Sequence, residues 1–430
     1  MAWSYLFIGI PLLGATVGLL IRSNPKMTMG WFLCVTSLQC LLLLLFPSPS
    51  FNPITAPMLL IVAFSTWLVT LSHRIQSTPP SELFEVLFLC GLGFGFLLHP
   101  GRLGLIYLMG IFALLIRIQF RGESLSRADR TWLMGLYGLG ILALLAALLF
   151  DGTYRPIALF STYMLLLPLF PFHGMYFILL QKLPGTLSAF LALFLPVLGL
   201  SGLLPILADL PFSIDFMLRG CAVLGVLSGA VRSLVQNRIP ARLSQIALVF
   251  WSILWWYILG AEGEMLPAVV FLCAAGLTLC GLWLSWQGLK FRHGDLCVDQ
   301  FGGLASAMPR FSVLFSLLIA AAMGLPFFGV FSGFVEMVFS HSKNFSLGLI
   351  PILLAWFFAS LTLPSLMEKT LFGPIKPNWI YRDFEGREIF ALTFVVIVLI
   401  GIGIAPYRLF GLGNLPELAN PLSDLVLWKK

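Results

Sequence analysis

Apolar runs of membrane-crossing length recur along the whole chain, and no other feature limits the possible folds so strongly. A helix crosses the hydrocarbon layer in about 20 residues. About fourteen segments meet that length: 3–21, 30–46, 53–72, 82–98, 103–119, 131–150, 157–180, 186–208, 215–235, 242–261, 265–285, 310–340, 346–367 and 388–410. Of the 430 residues 59% are hydrophobic and 10% charged, and mean hydropathy is +0.99, whereas soluble domains carry roughly 25% charged residues. A globule in water has no place for that much apolar surface. The sequence therefore predicts an all-α integral membrane protein of about fourteen transmembrane helices. The first run lacks a basic start and a small-residue cleavage site, so it is expected to remain in the mature protein.

The charged residues set the orientation. Loops that follow odd-numbered spans hold 18 of the 25 basic residues, among them Arg22, Arg74, Arg127, Arg238, Lys290 and Arg387, and the other loops hold the remaining seven. One miscounted span would have scrambled this asymmetry, so it predicts an even number of crossings with both termini outside the cytoplasm. It also accounts for the net charge of +7 without a nucleic-acid partner. The seven cysteines are scattered, with no C-x-x-C pair, and read as small packing residues rather than metal ligands or disulfides. No loop is long enough for a soluble domain; the longest, roughly 286–309, is polar but short. One membrane domain, 1–430, is expected, with peripheral helices over 1–98, core repeats over about 99–261 and 262–410, and a short tail over 411–430.

Two spans are interrupted. The seventh reads LLLPLFPFHGMYFILLQKLPG over 165–185, with Pro168 and Pro171 just ahead of His173. The twelfth reads AAAMGLPFFGVFSGFVEMVFSH, with Gly324, Pro326, Gly329 and Gly333 ahead of Glu336 and His341. A proline removes a donor and frees a carbonyl that lipid cannot satisfy, so such breaks survive only inside protein or beside water. One broken helix in each half of a membrane protein points to an ion or substrate path.

These stretches carry a resemblance. LPLFPFHG is similar to the motif that opens the broken seventh helix in the antiporter-like subunits of respiratory complex I, membrane hydrogenases and Mrp-type antiporters. FRHGDLCVDQFGGLASAMPRFSVLFSLLIAAAMGLPFFGVFSGFVEM, residues 291–337, resembles the same family's arginine-bearing linker, its G-G-L-A-x-x-M-P turn and its broken twelfth helix; Gly302, Gly303, Leu304, Met308, Pro309, Gly324 and Pro326 fit. Weaker agreement covers FNPITAPMLLIVAFSTWLVTLSHR and LSQIALVFWSI, and the chain most resembles the M-type subunit. The resemblance implies fourteen helices, outside termini, proton translocation through buried lysines, glutamates and histidines, membrane and peripheral partner subunits, a bacterial inner membrane, and no cofactor in this chain.

The sequence departs from that family where its protons would move. Leu166 stands where the seventh helix carries a lysine, Val197 beside the position of the next helix's lysine, and Ile111 near the fifth-span carboxylate. Met175, Tyr176, Phe177 and Ile178 replace the tryptophan, proline, aspartate and histidine that follow this histidine in the family. The remaining candidates for a proton path are Glu336, His173 and Arg238. Glu336 either faces a polar cavity or sits hydrated near the helix end beside Lys343; His173 either binds a relay water or caps carbonyls freed at the break. Arg232, Arg238 and Arg242 read as orientation charges with snorkelling arms, Glu82 and Glu85 as interfacial acids, and Trp251, Trp255 and Trp256 as boundary anchors. No nucleotide loop, metal cluster or hydrolase elbow occurs, so no catalytic residue, cofactor or metal is expected. Three readings stay open: a subunit of a complex-I-like assembly with its central relay lost or altered, the membrane partner of an inorganic-carbon uptake pair, and a scaffold.

Overall fold

The computed structural model describes residues 2–45, 54–74, 81–99, 101–121, 125–150, 154–183, 185–207, 212–260, 265–295, 297–341, 349–374 and 381–406. The tail expected over 411–430 and Lys343 lie outside the described residues. Seventeen helices follow one another among those described: α1 Ala2–Leu20, α2 Pro25–Leu45, α3 Thr55–Ser72, α4 Ser81–Leu98, α5 Arg102–Arg121, α6 Arg127–Leu149, α7 Tyr154–Leu166, α8 Gly174–Lys182, α9 Leu187–Leu203, α10 Phe212–Val235, α11 Ile239–Gly260, α12 Leu266–His293, α13 Leu304–Ala307, α14 Pro309–Ala322, α15 Gly329–His341, α16 Leu349–Leu371 and α17 Gly386–Ile404. Apart from the single-turn α13, each expected span coincides with one helix, and the seventh and twelfth with a pair. The protein is an all-α integral membrane protein. The eleventh crossing is longer than its apolar run: α12 carries Lys290, Arg292 and His293 in its last turn, where cations complement the helix dipole, so the loop after it is shorter than expected.

Burial sorts these helices in a way that hydropathy does not. An 18-residue stretch of α12 is buried at every position, and α11 is nearly so. α12 is walled in by α3, α9, α11, α14, α15 and α17. The partly exposed α5, α6, α10 and α16 present leucines and phenylalanines outward, such as Leu142, Phe216 and Phe357, which suits a lipid surround.

Trp251 and Trp255 are fully buried and Trp256 nearly so, so the boundary-anchor reading is corrected: these indoles lie in the core, Trp251 against Tyr176 of α8 and Trp255 edge-on to Phe160 of α7. Glu82 and Glu85 are buried too. Both sit in the first turns of α4, and the turn at Gly185–Thr186 covers Glu82; a Cβ on Gly185 would collide with its carboxylate.

Candidate functional site

The first break follows from backbone bookkeeping. α7 rises about 20 Å and α8 about 14 Å, so the interruption between them falls within a hydrocarbon layer about 30 Å thick. Leu167 still donates to Tyr163 O at 2.9 Å, and helical pairing stops there. Pro171 has no N–H for the carbonyl of Leu167, its partner four residues back, and the Phe170–Pro171 peptide is cis. That carbonyl is met from outside the span: Trp255 Nε1 of α11 donates to Leu167 O at 3.2 Å.

His173 does not serve as the cap. It precedes α8, is buried, and its side chain makes no capping hydrogen bond. Instead its ring stacks on Phe170, with centroids 5.7 Å apart, and meets Phe177 edge-on at 4.7 Å. One turn before Trp255, Trp251 Nε1 donates to Tyr176 Oη at 3.1 Å, and that hydroxyl donates to Ala192 O at 2.7 Å. The donors thus run from α11 through α8 and end on a backbone carbonyl of α9.

The second break uses glycine where the first uses proline. Gly324 has φ +73 and Phe327 φ +77, both left-handed, with Pro326 between them. The carbonyl of Met323 accepts from Ser360 Oγ of α16 at 3.4 Å. Beyond the break, Gly329 and Gly333 lie one turn apart on α15 and admit close neighbours. A Cβ on Gly333 would stand 2.8 Å from Phe271 Cα of α12, and one on Gly329 2.6 Å from Ile402 Cγ2 of α17. This is the small-xxx-small packing that brings membrane helices together. The seventh and twelfth crossings, one odd and one even, run in opposite directions.

Leu166, Val197 and Ile111 are each 0% exposed in the continuous apolar core. The structure sets Glu336, His173 and Arg238 on separate elements. Glu336 is half-buried on α15 and has an interaction partner, His173 lies at the first break, and Arg238 is exposed in the turn between α10 and α11. Pro168 and Pro171 lie inside the first break and Pro326 inside the second.

The linker between α12 and α14 forms a clamp that sequence reasoning did not foresee. Cys297 pairs with Arg238 in an isolated antiparallel bridge, and Val298 N donates to Asn237 O at 2.8 Å. Asp299 accepts from Lys369 of α16 at 2.8 Å; that hydrogen bond holds its carboxyl below the usual carboxylate range, so the pair persists above about pH 4 and is lost only in stronger acid. Asp383 caps α14 from a distant segment, accepting from Arg310 N at 2.9 Å and Phe311 N at 3.1 Å. Glu388 of α17 binds both Arg74, at 2.8 Å, and Arg292, at 2.6 Å. Arg242 is buried, donating to Gln236 O at 3.1 Å and to Thr362 O at 3.5 Å. The expectation of a snorkelling arm is corrected there, because α16 closes over the guanidinium.

Among the described residues, fourteen crossings with two broken helices of opposite direction form a fold shared with single chains of solved membrane complexes. One chain of respiratory complex I from Thermus thermophilus superposes with a TM-score of 0.80 at 17% identity, over 94% of this chain and 96% of that one. Chains of an archaeal membrane-bound sulfane sulfur reductase and of the Mrp complex from Dietzia give 0.82 at 15% identity and 0.81 at 13%, each covering 95% or more of both chains. These show the shared fold. By sequence the chain is similar to chain 4 of NADH–quinone oxidoreductases: 31% identical over 150 residues to NADH-ubiquinone oxidoreductase chain 4 of Marchantia polymorpha, and 28% over 316 residues to the chloroplastic NAD(P)H-quinone oxidoreductase chain 4 of Psilotum nudum. The matches span 34% and 65% of this chain but only 29% and 61% of those relatives. No protein-family model matches the chain.

Proposed function

We propose that this chain is a membrane subunit of a complex-I-like ion-translocating assembly, held among membrane and peripheral partners, whose own central proton relay is lost. One observation carries the reading: both breaks of the antiporter-like fold persist, while Leu166, Val197 and Ile111 are apolar and fully buried. A water file needs polar partners to persist, and these positions offer none. Division into peripheral helices 1–98 and repeats over about 99–261 and 262–410 belongs to the same proposal, supported by one break in each half. So does the orientation, with both termini outside a bacterial inner membrane; cysteines placed at Arg127 and Lys429 should label from opposite faces, and labelling from one face would refute it.

Two measurements test the functional reading. Chains that co-purify from native membranes should include several membrane subunits and an electron-transfer module; a single large zinc-bearing partner would instead favour inorganic-carbon uptake. In vesicles containing the whole complex, Glu336→Gln removes the titrating group and keeps its shape. With partner turnover held constant, proton movement should be unchanged. A loss would reveal a working path through Glu336 and overturn the lost relay.

A further inference from the structure

Beside the Glu388 clamp, at the membrane end where the basic loops collect, a recess of about 860 Å³ opens between the end of α3, the end of α12 and the start of α17. Its apolar wall is Leu71 and Phe291, and its polar wall includes Arg74, Arg292, Arg382 and Arg387. Two carboxylates also line it, and both are engaged. Glu388 accepts from Arg74 Nε and Nη2, both at 2.8 Å, from Arg292 Nη1 and Nη2 at 3.2 and 2.6 Å, and from Glu385 N at 3.3 Å. Glu385 is turned back on the first turn of α17 as a capping box. Arg382 and Arg387 are exposed and make no ion pair among the described residues. The recess therefore carries a surplus of two guanidiniums. Arg292 also holds the carbonyls of Arg382 and Asp383, at 2.8 and 3.1 Å. The backbone that carries one surplus charge is thus fixed before any ligand arrives.

We propose that this recess binds a phosphate-bearing anion between Arg382 and Arg387, with Leu71 and Phe291 forming a greasy floor suited to the start of an acyl chain. Guanidinium is the side chain best matched to phosphate, because its planar fork donates two parallel hydrogen bonds. The floor gives a lipid phosphodiester a place that inorganic phosphate does not use. A carboxylate from a partner would meet the same charges without needing the floor.

The test uses the full chain, delipidated in detergent, with native mass spectrometry counting retained dioleoyl-phosphatidylglycerol. Arg382→Gln with Arg387→Gln should weaken retention by roughly 10- to 30-fold, since each basic residue near an anionic headgroup counts for about one unit of charge attraction. Arg382→Lys with Arg387→Lys keeps the charge and should retain most of the binding, which separates charge from misfolding. Arg22→Gln with Lys26→Gln makes the same charge change at the junction of α1 and α2, Arg22 in the turn and Lys26 in the first turn of α2, and should leave retention unaltered. Competition by inorganic phosphate would show that the phosphate group alone is recognised; failure to compete, with the lipid still retained, would assign the site to lipid. Equal retention by the wild type and the glutamine pair, or an equal loss in the Arg22/Lys26 pair, would overturn the proposal.

Discussion

The indole of Trp255 does at residue scale what the broken seventh helix cannot do for itself. Its N–H replaces the donor that Pro171 lacks, and an unmet buried carbonyl costs about 1–3 kcal/mol. Trp283 supplies a control of the same size: it is buried, and its Nε1 has no hydrogen-bond partner among the described residues. Trp255→Phe should therefore lower the thermal unfolding midpoint in detergent more than Trp283→Phe does, by the equivalent of about 1–3 kcal/mol. Equal losses would mean that the indole N–H contributes nothing. His73, at the end of α3, gives a pH signature. Burial pushes its imidazole down from 6.5 to about 4. Between those values the unfolded chain takes a proton that the folded chain refuses, so stability falls as pH drops through that window and is fully recovered above it. His73→Gln should flatten the profile of unfolding midpoint against pH between 6.5 and 4. The charged groups around the same recess, Arg74, Lys290, Arg292, Arg382, Arg387, Glu385 and Glu388, are common to both proteins, so the difference isolates the imidazole.

At the scale of the elements, α15 depends on having no side chain at Gly333. Phe271 presents backbone there, which cannot swing aside as a side-chain tip can. Gly333→Ala should cost about 1–3 kcal/mol through overpacking. Gly220→Ala on α10, where a Cβ would meet nothing within 4 Å, should instead be neutral or slightly stabilising, because alanine favours a helix by roughly 0.5–1 kcal/mol. Thermal unfolding of the two variants side by side checks both signs, and equal midpoints would remove the close approach from the account. The crossings and both breaks were legible in the sequence because their signals are local: a run of apolar residues, a proline, a glycine. What caps each break was not. Trp255 stands 88 residues from Leu167, and a cluster of tryptophans reads alike whether it lies at a membrane boundary or in a core. His173 misled for a related reason, since a histidine next to a proline break has the right chemistry for a cap, while only packing decides that its ring stacks on Phe170.

For the molecule as a whole, the Arg74–Glu388–Arg292 cluster joins α3, α12 and α17 through residues up to 314 positions apart, a separation no sequence pattern announces. Removing one charge from a buried cluster leaves the others uncompensated. Glu388→Gln should destabilise the full chain by on the order of 3 kcal/mol, and combining it with Arg292→Gln should restore part of the loss; thermal unfolding in detergent reads both, and additive losses would contradict coupling. The enclosure of α12 has a consequence of another kind, in time rather than in space. In the finished protein an 18-residue stretch of this helix touches no lipid, yet its sequence from Leu266 to Leu289 has no charged residue at all. When it leaves the ribosome, the helices α14, α15 and α17 that later pack against it have not been made. It must enter the bilayer by its own greasiness, so its composition answers to the moment of insertion rather than to its final neighbours. A polar substitution in α12 is therefore judged at the translocon before any partner exists to satisfy it.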